Sequence, residues 1–185
     1  MSKELKTNLW WSLIITVISI VYILLYVAIT SAVCPANTPA LWATYVTLPI
    51  FFLLAGSEPN KTLIPKICLC AIIGYLWGLL FLKIVGAAAP SIGLYPAYLI
   101  AIIVVVGLAC VIHLSFLANT IIGNTPIVFA GLAVCVATTT IAGFAKASPG
   151  VSGVVACVTM VLGVLLAAIM VAAAPIAAKW AGADK

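Results

Sequence analysis

His113 is the one histidine of the chain, and no Asp or Glu falls inside any of the apolar runs that make up most of it. Imidazole is the side-chain type that changes charge nearest physiological pH. His113 is therefore a candidate pH sensor or solute contact, or else a packing residue bonded to a nearby carbonyl or hydroxyl. A single His without an intramembrane carboxylate cannot assemble the usual hydrolase or protease constellations. The chain is read as a non-enzyme, with no catalytic residue, no metal ligand and no cofactor. Cys68 and Cys70 are two positions apart and point in different directions on a helix, so they do not form a metal pair.

The second polar feature is a tripeptide that occurs twice, as Asn37-Thr38-Pro39 and Asn124-Thr125-Pro126, 87 residues apart. Thr is a good N-cap, and Pro is tolerated at the first helical position because its missing N–H would be unpaired anyway. Each tripeptide is thus expected to start a helix. Helix N-termini carry roughly half a positive charge and free N–H donors, which suits a polar or anionic solute. The alternative is a well-capped helix start in a water-facing loop. The residues expected to line a path are Asn37, Thr38, Trp42, Thr44, Asn124, Thr125 and Phe129, together with His113 and Tyr26. Trp42 and Phe129 follow the two tripeptides at matching places and could form a constriction. The other hydroxyls nearby, Thr47, Thr138, Thr139 and Thr140, can equally return their protons to their own helix backbone.

These residues need elements to hold them, and composition says what kind. The chain has 185 residues, 66% hydrophobic and 6% charged. A soluble domain cannot cover its surface with so little charge, so most of the surface must face lipid. The net charge of +5 comes from lysines at the ends of apolar runs, a membrane-edge pattern rather than a nucleic-acid-binding one. Five of the six cysteines lie inside apolar runs, where free Cys behaves as a small hydrophobe, and only Cys34 is expected in a loop.

About 20 apolar residues cross a bilayer as a helix. Six segments qualify: Leu9 to Ala32, Ala40 to Gly56, Leu63 to Val85, Ala97 to Ala118, Ile127 to Ala145 and Val151 to Ala174. The second is the shortest and carries Pro49, so a kink or break is expected there. With the N-terminus cytoplasmic, Lys3, Lys6, Lys61, Lys66, Lys179 and Lys185 fall inside, and only Lys83 and Lys146 outside. That bias places both termini in the cytoplasm. Trp10, Trp11, Tyr95 and Trp180 near the boundaries are expected to settle at headgroup level. Gly74 and Gly78 form a GxxxG pattern of the kind that lets helices approach closely, inside one bundle or between subunits.

An offset of 87 aligns more than the tripeptide. Trp42 meets Phe129, Ala43 meets Ala130, Ala55-Gly56 meets Ala142-Gly143, and Tyr26 meets His113. With a two-residue insertion, Cys68 meets Cys157 and Gly74 meets Gly163. The expected fold is all-α: one transmembrane domain over residues 1–185, six helices arranged as two repeats, about 9–85 and 97–174. Three helices is an odd number, so the second copy enters from the opposite side and the repeats are inverted. Inverted repeats recur where one path must open to both sides of a membrane.

The segments "LPIFFLLAG", "IIGYLWG" and "IGNTPIVFAGLAV" resemble those of small bacterial inner-membrane proteins grouped as domain of unknown function 1097. The resemblance implies a bacterial cytoplasmic membrane and no particular chemistry. Aquaporins offer an architectural analogy only, since this chain reads Asn-Thr-Pro and has no Arg. The expected function is a channel or facilitator for a small neutral or weakly anionic solute, with a pore in each protomer of a homo-oligomer. A non-transporting scaffold or accessory subunit is the alternative. A secondary transporter coupled to protons through His113 is the third reading.

Overall fold

A computed structural model describes residues 2–33, 35–140 and 149–182; within these, the side chains of 36–39, 139–140 and 149–152 are outside the description. Cys34, Lys146 and Lys185 therefore lie outside it, as do the side chains of Asn37, Thr38, Thr139 and Thr140. The described residues are helical almost throughout, with one isolated bridge between Ala55 and Glu58. In chain order the helices are α1 (Lys3–Val33), α2 (Thr44–Leu54), α3 (Asn60–Ile92), α4 (Leu94–Phe116), α5 (Thr125–Thr140), α6 (Pro149–Ala172) and α7 (Ala174–Trp180), a short continuation of α6. A 3₁₀ stretch, Pro35–Ala43, leads into α2.

Among the described residues four helical spans are long and apolar enough to cross a membrane: α1, α3, α4 and the α6–α7 stretch Gly153–Trp180. The other two apolar segments, Ala40–Leu54 and Thr125–Thr138, are shorter. At about 1.5 Å per residue the first covers roughly 23 Å, against a hydrocarbon thickness of about 30 Å. Of the six expected spans, four are long enough among the described residues; α2 is short, and the fifth helix is described only as far as Thr140. An Asn-Thr-Pro tripeptide precedes α2 and another opens α5.

The two helix starts differ in form. At the second tripeptide the cap is Asn124 rather than Thr125: its Oδ1 accepts the Ile127 N–H at 3.4 Å, and its carbonyl accepts those of Ile127 and Val128. Asn is at least as good a cap as Thr, and here the shorter reach belongs to the residue one place earlier. At the first tripeptide the backbone of Asn37, Thr38 and Pro39 runs within the 3₁₀ stretch, and the α-helix starts only at Thr44. Pro35 and Pro39 have no N–H to give to a helical ladder, and the stretch is 3₁₀ over nine residues.

Small residues set the helix pairings. Gly74 of α3 abuts the Val128 carbonyl of α5, Gly131 of α5 abuts the Ala71 carbonyl of α3, and Gly78 lies against Cys135. The GxxxG face is thus used inside the protomer. On the other side, Gly163 of α6 abuts the Thr44 carbonyl of α2 and the Thr47 hydroxyl. Thr47 Oγ1 donates to the Met160 carbonyl at 2.8 Å, which fixes the same crossing. Phe51, Leu63, Ile67, Ile127, Met160 and Val164 fill the space between these pairs. A second apolar cluster, Phe81, Val85, Ala97, Ala101 and Val105, joins α3 to α4.

α1 stands apart from this packing. Only 6% of its apolar window lies inside the protein, against 39% for α3. It is held at its start by Trp11, whose indole N–H donates to the Met170 carbonyl at 3.3 Å and whose ring meets Phe52 edge-on. Trp11 therefore ties two helices together instead of acting only as a headgroup-level anchor.

Candidate functional site

Two polar clusters sit in the apolar bundle. The first joins α1, α2 and α6 through hydroxyls. Tyr22 Oη lies 2.6 Å from Thr44 Oγ1, and Tyr26 Oη lies 3.2 Å from Thr159 Oγ1. Thr159 can also donate to the Val155 carbonyl at 2.6 Å, and Thr44 to the Thr159 carbonyl at 3.4 Å. In each tyrosine–threonine pair either hydroxyl can be the donor. Tyr26, Thr44 and Thr159 are buried. Beside them lies a cavity of about 400 Å³ between α1 and α6, lined by Tyr22, Tyr26, Thr30 and Thr159 with Leu25, Ile29, Val155, Val158 and Leu162. The surface it offers is almost wholly apolar, since the Tyr26 and Thr159 hydroxyls are buried beside it.

The second cluster centres on His113, which is 1% exposed. The Trp77 indole N–H of α3 reaches His113 Nε2 at 3.1 Å, and Nδ1 lies 2.8 Å from the Ile122 carbonyl. An indole nitrogen only donates, so Nε2 must be an acceptor and the ring proton must sit on Nδ1, donated to Ile122. Both ring nitrogens are occupied in this arrangement. His113 lies in a π-helical turn, Ile112–Phe116, closed by the Leu117 N–H to the Ile112 carbonyl at 2.9 Å. Such wide turns rotate the following residues and are frequent where a helix serves a function. A cavity of about 370 Å³ adjoins it, lined by Trp77, His113 and Ile122 among apolar residues.

The sequence-predicted residues divide between these clusters. Tyr26 and Thr44 share the hydroxyl cluster. His113 holds the segment that leads into the second tripeptide through Ile122, and Cys70 adds a thiol contact to the Ile121 carbonyl at 3.5 Å. That places His113 and Asn124 in one local unit. Thr125 is buried, with its hydroxyl 3.5 Å from the Gly123 carbonyl. Phe129 is half-buried on α5, and Trp42 is half-buried in the 3₁₀ stretch with its indole nitrogen lacking a hydrogen-bond partner. Thr138 bonds its own helix, at the Val134 carbonyl.

The model of one protein family, "Protein of unknown function (DUF1097)", matches residues 12–175. The chain belongs to the DUF1097 family. No curated protein and no solved structure matches it. The matched range spans both polar clusters and both tripeptides, so family membership covers the whole candidate site.

Sequence reasoning missed three members of the site in this DUF1097 chain: Tyr22, Trp77 and Thr159. Tyr22 is one helical turn before Tyr26, a spacing that puts both on one face and could have flagged it. Trp77 lies deep inside an apolar run, away from the headgroup levels where Trp usually settles, and that position was its signal. Thr159 looks like any threonine in a helix, and only the approach of α1 reveals its partner.

Proposed function

We propose that the protein is a channel or facilitator in the bacterial cytoplasmic membrane that passes a small, neutral or weakly anionic solute down its gradient. The observation that carries this reading is the exchange of helix partners between the two halves. Such paired halves with corresponding helix starts are what inverted repeats place around a translocation site. Here α2 and α5 start beside the same tripeptide, at corresponding places in the two proposed repeats.

The partnering of the helices supports the inverted arrangement. α3 packs on α5, and its counterpart α6 packs on α2, the counterpart of α5. Tyr26 in α1 bonds α6, and its counterpart His113 in α4 bonds α3. Two halves related by a twofold axis in the membrane plane would exchange partners in this way. Both termini are then cytoplasmic, and a solute would pass along the hydroxyl cluster of α1, α2 and α6.

The test is flux into proteoliposomes. Stopped-flow swelling with urea, glycerol, formate and similar solutes should reveal at least one that enters without an imposed ion gradient. Tyr26→Phe and Thr159→Val should change its rate while preserving monodispersity and helicity. Absence of flux for every solute, or rates indifferent to both variants, would remove this reading. The accessory-subunit reading is favoured by one feature, the exposure of α1, and predicts copurification of a partner with no flux.

A further inference from the structure

Lys6, Leu9, Trp10 and Leu13 line a groove of about 390 Å³ on α1. Their spacing, i, i+3, i+4 and i+7, places them on one helix face. From Lys6 to Leu13 the helix rises roughly 10 Å. One ammonium thus stands at the N-terminal end of the groove, a tryptophan one turn below it, and a leucine further down. Trp10 is held in place by Trp180 of α7, ring centroids 5.5 Å apart and planes at 76°. The last turn of α7 also carries Lys179 and the first turn of α1 carries Lys3 beside Glu4, so lysines outnumber carboxylates at this end among the described residues. Among the described residues the ion pair is Lys66–Glu58, at another loop, and Lys6 has no carboxylate partner. The Trp11 bond to Met170 fixes the rotation of α1 about its axis.

We propose that this groove is a binding site for a single anionic phospholipid. Lys6 meets the phosphate, the Trp10 ring lies at the level of the glycerol backbone, and Leu9 and Leu13 receive the upper acyl chain. Charge complementarity selects the occupant. A zwitterionic lipid offers the ammonium no net charge, while an anionic headgroup neutralises it at the depth where the apolar wall begins. The site is independent of any solute path.

Native mass spectrometry of the detergent-solubilised protein tests it, with phosphatidylglycerol or phosphatidylcholine added at equal concentration. One phosphatidylglycerol should be retained in preference to phosphatidylcholine. Lys6→Gln should weaken that retention about fivefold, the effect of one lysine near an anionic surface. Leu13→Trp, which fills the groove without altering charge, should weaken it too, and Lys61→Gln, away from the groove, should not. Equal retention of both lipids, an unchanged adduct in Lys6→Gln, or an equal loss in Lys61→Gln overturns the proposal. So does displacement of the lipid by glycerophosphate at the lipid's own concentration, or Lys6→Cys cross-linking to a second copy of the chain.

Discussion

At the scale of residues, the hydrogen-bond donors decide more than the charges do. Trp77 can only donate, and this fixes the tautomer of His113. Nitrogen-15 NMR should find a protonated Nδ1 and a bare Nε2; the opposite tautomer would mean that the Trp77 contact does not form. Trp77→Phe removes the donor and leaves Nε2 without its bond. Helix-to-helix hydrogen bonds inside membranes contribute on average about 0.6 kcal/mol, so a loss of that order in unfolding free energy is expected. His113→Phe is worse, because it strands both the Trp77 N–H and the Ile122 carbonyl, at about 1–3 kcal/mol for each buried group. His113 and Tyr26 were legible in the sequence because polar atoms at membrane depth are rare. Their partners were not, since a Trp and a Thr acquire their roles only when another helix arrives.

At the scale of elements, backbone approach governs. Gly74 and Gly131 touch backbone carbonyls across the α3–α5 crossing, and a Cβ at either would overlap them. Backbone cannot move aside as a side-chain tip can. Gly74→Val and Gly131→Val should therefore each lower unfolding free energy by at least about 1–3 kcal/mol, the usual effect of overpacking. Gly86 lies in the same helix as Gly74, α3, and a Cβ there would meet nothing within 4 Å. Gly86→Ala should leave stability unchanged or raise it by up to about 1 kcal/mol through helix propensity. Thermal or steric-trapping measurements on the three variants test the contrast, and equal behaviour would remove the close crossing. Helix existence was readable from apolar runs and their punctuation. The shortness of α2 was half readable, because Pro49 lies inside it. The π turns of α4 left no sequence signal, since a run such as "AIIVVV" suits any buried helix.

At the scale of the whole molecule, orientation follows from the number of crossings. If α2 and α5 both traverse, the Ala55–Pro59 loop faces the same side as the N-terminus. Lys61 and Lys66 then join Lys3, Lys6 and Lys179 in the cytoplasm, as the positive-inside tendency favours. If α2 instead turns back within the membrane, that loop and its lysines face outward, and the charge bias weakens. Gly56 at φ +89° and the Glu58–Lys66 ion pair make the loop a defined turn with an exposed Ser57. A single cysteine at Ser57, in a Cys34→Ser background, should be blocked by a membrane-impermeant maleimide only after the cells are opened. The remaining thiols sit within apolar helices and should react poorly with a charged reagent. Labelling of intact cells would place the loop outside, leave four crossings, and remove the inverted relation between the halves on which the permeation reading rests.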